Sequence, residues 1–239
     1  SGAEGDVVIV CDDSGAAFQL LGPARPGPVP VTFDAPTLRH RRRGGQNELL
    51  GRAVGWRARR SPRVLDATAG YGHDAFTLAD LGSEVVMCER NPVLATLLER
   101  ALLRARDSAD DWLRDVVGRL HLLAGDARDL PRTQLHAIDV ICLDPMFPQQ
   151  RRALPAKEMQ VLAALLAAEA ARGEGPPGEA DDAQLLAWAC DQAVGRVVVK
   201  RPRRAPPLAG RSPSHTIAGR AVRFDVYVLH TAATAGEKV

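Results

Sequence analysis

The sequence contains no apolar run that approaches the roughly 20 residues required for a transmembrane helix. Its first six residues also lack the basic region and apolar stretch that are typical of a signal peptide. Cysteine is scarce, and its four occurrences are far apart: Cys11, Cys88, Cys142 and Cys190. The first three lie in apolar, strand-like segments, which favours buried reduced thiols over disulfide or metal roles. We therefore expect a cytoplasmic protein with no membrane span and no metal site.

Lysine is equally scarce, since it occurs only at Lys157, Lys200 and Lys238, and arginine carries most of the positive charge. The formal net charge of +2 hides an uneven distribution of that charge. Basic clusters lie at residues 39–43, 57–63, 151–152 and 200–204. A single cluster is compatible with a solvated surface, whereas several clusters around one catalytic motif would indicate a nucleic-acid partner.

The predicted elements divide the chain into an N-terminal β extension with its connector, residues 1–36, and a larger α/β domain, residues 37–239. Two apolar segments on either side of the turn from Asp12 to Gly15 predict a hairpin within the extension. From Arg63 onward strands alternate with helices, which predicts a mostly parallel sheet with helices on both faces. Strands are predicted at residues 64–66, 84–88, 120–123, 138–143, 195–200 and 221–229, and helices at 46–57, 74–81, after 91–92, and at 155–171.

The loop after the first parallel strand contains two glycines, Gly70 and Gly72. Ligands of open α/β sheets bind at the carboxyl ends of the strands, where glycines let the backbone approach them closely. Glu89, at the end of the second strand, is placed to accept hydrogen bonds from ribose hydroxyls. NAD and S-adenosylmethionine both carry an adenosine, so these residues predict an adenosyl ligand and leave both cofactors open.

The loop after the fourth strand favours one of the two cofactors. Residues 138–143 end in Asp144-Pro145-Met146-Phe147-Pro148, and two prolines cannot continue a central strand. The loop therefore presents a carboxylate, a peptide carbonyl and an aromatic ring in a fixed order. We expect Asp144 and the Pro145 carbonyl to hold the exocyclic amine of a base, and Phe147 to stack on that base. Such a loop suits methyl transfer from S-adenosylmethionine, and a nicotinamide enzyme has no evident use for it.

Several segments resemble the ribosomal RNA small subunit methyltransferase J family. They are residues 66–76, 89–92, 144–148, 157–159 and 197–202. The resemblance implies a class I S-adenosylmethionine-dependent methyltransferase fold with a Rossmann-like sheet, and N2-methylation of one guanosine in bacterial small-subunit (16S) rRNA. The cofactor contacts that it implies are His73, Asp74, Glu89, Arg90, Asp126, Ala127 and Asp144.

Two positions depart from the family pattern. His73 stands where relatives have arginine, and Asp126-Ala127 stands where they have two serines. An aspartate after the third strand can still accept a hydrogen bond from the adenine amino group, so we expect an altered but functional cofactor site. Asp66, which ends the first strand, completes that site together with Gly70 and Gly72.

Basic residues that flank these motifs are the expected RNA contacts: Arg41, Arg42, Arg43, Arg151, Arg152, Lys200 and Arg201. The predicted reaction is direct in-line transfer of the sulfonium methyl group to guanine N2, with no covalent enzyme intermediate and no metal. The expected partner is small-subunit rRNA or the 30S subunit, with neither a membrane nor an obligate protein partner. The alternatives are an adenine N6 methyltransferase, an NAD(P)-dependent oxidoreductase and a non-catalytic RNA-binding protein.

Overall fold

The computed structural model describes residues 6–12, 15–22, 26–33, 36, 38, 46–57, 60–145, 157–171, 178–192 and 194–229. The strands are β1 Val7–Asp12, β2 Gly15–Leu20, β3 Val29–Pro30, β4 Val64–Asp66, β5 Val85–Glu89, β6 Leu120–Ala124, β7 Val140–Leu143, β8 Arg196–Pro202, β9 His215–Ala218 and β10 Val222–Val228. The helices are α1 Gln46–Val54, α2 His73–Asp80, α3 Pro92–Arg106, α4 Asp111–Gly118, α5 Arg132–Leu135, α6 Lys157–Ala171 and α7 Glu179–Cys190. None of the described helices combines the length and apolar character of a membrane span.

The chain forms two compact units, and the smaller one consists of Ser1–Thr32 and Met146–Gly178. β1 and β2 pair antiparallel, which confirms the predicted hairpin, and β3 pairs antiparallel with β2. Helix α6 packs on all three strands, with the ring of Phe18 fully buried. The predicted extension therefore shares its unit with a helix that the sequence placed in the α/β domain.

The larger unit, Phe33–Pro145 with Glu179–Val239, is built on a seven-stranded sheet. The strand order is β6-β5-β4-β7-β8-β10-β9. The first five strands run parallel, whereas β10 is antiparallel to both β8 and β9. This arrangement confirms the class I, Rossmann-like fold.

The central strands explain where a ligand can bind. β4 and β7 are buried along their whole length, as expected for parallel strands covered on both faces. The chain passes outward from β4 in one direction to β5 and β6, and in the other to β7 and β8. Such a reversal of strand order opens a crevice at the carboxyl ends of the strands.

Candidate cofactor and catalytic site

Four acidic residues mark the carboxyl edge of the parallel strands. Asp66 ends β4, Glu89 ends β5, Asp126 follows β6, and Asp144 follows β7. Lys200 lies within β8, one residue beyond Val199, which pairs with the last residue of β7. Because the strands are parallel, these side chains converge on one edge of the sheet, as the sequence predicted for the acids.

The glycine loop approaches this edge with two residues in left-handed conformations. Gly70 has φ 55° and Gly72 has φ 75°, values that other residues rarely adopt. A β-carbon at Gly72 would lie 3.1 Å from the Phe33 ring and 3.3 Å from Leu98, so close packing also demands glycine there. A β-carbon at Gly70 would meet nothing nearer than 3.9 Å. The backbone at Gly70 is therefore open to a ligand.

Glu89 ties the glycine loop to the end of β5. Its buried carboxylate accepts hydrogen bonds from the backbone N–H groups of Gly70 and Asn91, both at 2.8 Å. A carboxylate has about four acceptor positions, so Glu89 can hold the loop and also accept from a ligand. Asn91 in turn caps α3, because its side chain accepts from the N–H of Leu94.

Asp126 is part of an ion-pair network that reaches the last helix of the unit. Its Oδ1 accepts from Arg128 Nε at 2.9 Å, and its Oδ2 accepts from Arg128 Nη2. Asp181 of α7 bridges two arginines, accepting from Arg128 at 2.7 Å and from Arg90 at 3.0 Å. The hydrogen bonds from Arg128 hold the pKa of Asp126 below its ordinary value. The network therefore fixes the loops after β5 and β6 to α7.

This network includes two of the predicted cofactor contacts, Asp126 and Arg90, which stay predictions. Both carboxylate oxygens of Asp126 are bonded to Arg128, and one guanidinium nitrogen of Arg90 is bonded to Asp181. Ala127 is buried at the start of a short 3₁₀ helix. Arg128 and Asp181 were absent from the predicted site because 53 residues separate them and no local pattern links them.

Lys200 joins the start of α2 to the loop after β7. Its Nζ donates to Asp74 Oδ2 at 2.7 Å and to Asp144 Oδ2 at 2.8 Å. The backbone N–H of Asp144 donates to Thr68 Oγ1 at 2.7 Å. Asp144 is thus fixed through its side chain and its backbone, even though its side chain remains 46% exposed.

A pocket lies beside Lys200 and the carboxylates with which it pairs. Its polar lining comprises Asp66, Asp74, Asp144 and Lys200, and its apolar lining includes Leu50, Leu78 and Phe224. Burial, together with the charges of Asp74 and Asp144, raises the pKa of Asp66 to about 7. Burial alone would lower the pKa of Lys200, but Asp74 and Asp144 raise it above the ordinary lysine value. Lys200 therefore stays an ammonium at neutral pH. In the described ranges, no three His, Cys, Asp or Glu side chains are arranged so that they could hold a metal ion.

Two predicted RNA contacts need correction. Lys200 points into the acidic pocket, where it pairs with two carboxylates instead of facing a phosphate. Arg201 is only 3% exposed, and its Nε and Nη2 both donate to the carbonyl of Pro206. Its guanidinium supports a loop and is not available to RNA.

The other predicted site residues fall into two groups. His73 begins α2, and its ring stacks on Tyr71 with 6.0 Å between centroids. Pro145 is buried beside Asp144. The remaining predicted contacts lie outside the described residues and stay predictions: Arg41, Arg42, Arg43, Phe147, Arg151 and Arg152.

Comparison with known proteins places this site in a chemical context. Residues 3–229 match the family described as "Putative SAM-dependent methyltransferase". Ribosomal RNA small subunit methyltransferase J of Halorhodospira halophila is 45% identical, covering 95% of this chain and 83% of its own length. The enzyme of the same name from Thioalkalivibrio sulfidiphilus is 44% identical, covering 93% and 84%. A SAM-dependent methyltransferase of Neisseria gonorrhoeae has a similar crystal structure, with TM-score 0.73 and 30% identity over 100% of this chain and 89% of that one.

Proposed function

Because the chain belongs to the ribosomal RNA small subunit methyltransferase J family, we propose that it methylates the exocyclic N2 of a guanosine in small-subunit rRNA. The chain is an S-adenosylmethionine-dependent rRNA methyltransferase, so neither a nicotinamide-dependent oxidoreductase nor a non-catalytic RNA-binding protein describes it. The observation that carries the choice of an amino group is the fixed position of Asp144, held by Lys200 and Thr68 at the carboxyl edge.

The residues of the carboxyl edge fit the cofactor. Gly70 leaves open backbone, and Glu89 offers a buried carboxylate to ribose hydroxyls. Asp74 and Asp144 carry negative charge in the same pocket, which suits a cation such as a sulfonium. The cofactor supplies an electrophilic methyl group when it is bound. That chemistry requires neither a metal nor a covalent enzyme intermediate.

The chain would position the nucleophilic nitrogen of the base. The lone pair of a guanine amine is delocalised into the ring, so acceptors that hold its N–H groups help to aim the nitrogen at the methyl carbon. Asp144 and the Pro145 carbonyl would serve as these acceptors. The cofactor would supply the methyl group to this nitrogen, and the methylated amine would lose its proton to Asp144 or to water. Positioning of this kind supplies about 7–11 kcal/mol of catalysis in well-oriented reactions.

The substrate would be either rRNA or the assembled 30S subunit, and the reaction would take place in the cytoplasm where both occur. The target base has to be unpaired or extruded to reach Asp144, which costs a few kcal/mol. Phe147, by our prediction, would stack on the extruded base and offset part of that cost.

The test of this function uses an unmodified transcript of small-subunit rRNA and, in parallel, small subunits from cells that lack the gene. The enzyme is incubated with each substrate and labelled S-adenosylmethionine, and the RNA is digested for mass spectrometry. We expect N2-methylguanosine as the labelled nucleoside. Labelled N6-methyladenosine would show that the adenine alternative is correct. The absence of a labelled nucleoside from both substrates would contradict the proposal.

Glu89 provides a test of the cofactor site. In Glu89→Ala we expect binding of S-adenosylmethionine to weaken by about 10- to 150-fold, since a charge-assisted hydrogen bond contributes about 1.5–3 kcal/mol. Titration calorimetry measures the change. The matched control is Glu99→Ala, which removes an exposed acid from α3 and should leave affinity unchanged. Wild-type affinity in Glu89→Ala would remove this residue from the cofactor site.

A further inference from the structure

Three exposed arginines lie beyond the acidic pocket, in the two loops that flank the ends of β8 and β10. Arg203 and Arg204 follow β8, and Arg220 lies in the turn between β9 and β10. Within the described part of the chain, no hydrogen bond or ion pair involves any of their side chains. We call these three residues the arginine edge.

Two other arginines hold the loop after β8 from the inside. The buried Arg201 donates twice to the carbonyl of Pro206, at 3.1 and 2.7 Å. Arg223 of β10 donates through one nitrogen to three more loop carbonyls, those of Pro202, Arg203 and Ala205. Four carbonyls of residues 202–206 are therefore turned toward the interior, while the side chains of Arg203 and Arg204 are exposed.

This support places two like charges next to each other. Arg201 and Arg223 are directly paired across β8 and β10, and like charges in that position are destabilising. Asp225, which is fully buried, offsets the repulsion by accepting from Arg223 Nε at 2.8 Å and Nη2 at 2.9 Å. The result is a loop with a fixed conformation, and fixed loops lose less conformational entropy when they bind a partner.

The arginine edge lies at the same edge of the sheet as Asp144. β8 runs parallel to β7, and Arg203 comes three residues after Lys200, or about 10 Å along an extended strand. The N–H of Arg203 donates to the carbonyl of Ala221 at 3.1 Å, which brings the turn containing Arg220 beside it. All three cations therefore border the edge at which Asp144 is held.

We propose that the arginine edge binds phosphates of the rRNA strand that flank the target guanosine. The inference rests on the proposed function, because it takes RNA as the substrate. Guanidinium groups bind phosphates through paired hydrogen bonds, and side chains without protein partners are available for that contact. In this proposal the arginine edge binds RNA in place of Lys200 and Arg201, the contacts that the sequence predicted.

The test compares Arg203→Gln/Arg204→Gln with wild type for binding of unmodified small-subunit rRNA across a salt series. We expect weaker binding and a plot of log K against log salt that is less steep by roughly 0.7–0.9 per lost phosphate contact. Adding Arg220→Gln should reduce the slope by one further contact. Affinity for S-adenosylmethionine, measured by calorimetry, should stay at the wild-type value because the variants leave the acidic pocket intact.

The matched control is Arg100→Gln/Arg104→Gln, which removes the same charge from exposed positions on α3. This control should keep the wild-type slope. The inference is overturned if the two double variants change the slope equally, or if the line of Arg203→Gln/Arg204→Gln is parallel to that of wild type. Wild-type methylation of the transcript is measured in the same preparation. If the wild-type enzyme did not methylate the transcript, the proposed function would be contradicted. If wild type methylated it at a normal rate but the salt plots of wild type and Arg203→Gln/Arg204→Gln were parallel, only the role of the arginine edge would be contradicted.

Discussion

Replacing Asp144 with alanine is expected to reduce methyl transfer by on the order of 100-fold or more, because misplacing a reacting group by about 1 Å can have that effect. The carboxylate is bonded to Lys200, and its backbone is bonded to Thr68, so the side chain is fixed before substrate arrives. Single-turnover rates with saturating RNA and cofactor measure the loss. Asp144→Asn keeps one acceptor oxygen, so its rate of methyl transfer should lie between those of wild type and Asp144→Ala.

Phe147→Ala serves as the comparison for Asp144→Ala, since it removes stacking and leaves the acceptors in place. Stacking on a base contributes about 1–3 kcal/mol, so this variant should lose RNA affinity. Asp144→Ala should keep more of its RNA affinity than Phe147→Ala does. Normal turnover in Asp144→Ala would show that the proposed mechanism is wrong.

Lys200→Met is expected to lower kcat by roughly 10- to 100-fold and to move the acidic limb of the pH profile of kcat/KM to higher pH. The ammonium positions Asp144, and its charge lowers the pKa values of both Asp144 and Asp66. Without it, the protonated carboxyl persists to higher pH. A protonated Asp144 would donate at one oxygen instead of accepting, so activity should fail at a higher pH than in wild type.

Two measurements separate this positioning role from a general loss of structure. Lys200→Arg retains a cation that can pair with Asp74 and Asp144, and it should restore much of the wild-type pH profile. The salt dependence of RNA binding should be unchanged in Lys200→Met, because this ammonium contacts carboxylates and not phosphates. An unchanged pH profile in Lys200→Met would remove Lys200 from the catalytic arrangement.

The acids of the site could be predicted because of a simple property of parallel sheets. Strands β5 and β7 are short apolar segments that end in Glu89 and before Asp144, and the carboxyl ends of parallel strands share one edge. Local sequence therefore placed these residues together even though 55 positions separate them. The alternation of strands and helices likewise predicted the order of elements in most of the larger unit.

Lys200 and Arg201, which the sequence predicted as joint RNA contacts, lie on opposite faces of β8. Adjacent residues of a strand point to opposite faces, so Lys200 and Arg201 cannot both reach the same RNA strand. The alternation of side chains between the two faces of a strand predicts different surroundings for them. Lys200 pairs with two acids, and Arg201 is buried under a loop. The position of Asp181 had no comparable signal, since a bridge to Arg90 and Arg128 depends on how α7 packs.

Three of the elements that the sequence did not predict are α4, α7 and β9. Helix α4 does carry a local signal, since its buried residues Leu113, Val116 and Val117 follow the i, i+3, i+4 spacing of a helix. Helix α7 is rich in alanine, so its buried face is poorly marked. Strand β9 is an edge strand whose residues are largely exposed, and it joins the sheet only by pairing with β10. Tertiary contacts, more than local pattern, define α7 and β9.

The buried carboxyl of Asp66 makes folding and proton uptake one process. Its pKa rises from 3.8, the ordinary value of an aspartate, to about 7 in the folded protein. Between those values the folded chain holds a proton that the unfolded chain has released. The free energy of unfolding therefore declines as pH rises from about 4 to about 7, by on the order of 4 kcal/mol at most. Asparagine would remove this decline and would still accept from the N–H of Thr68, so the acid makes the folded protein less stable at neutral pH than asparagine would.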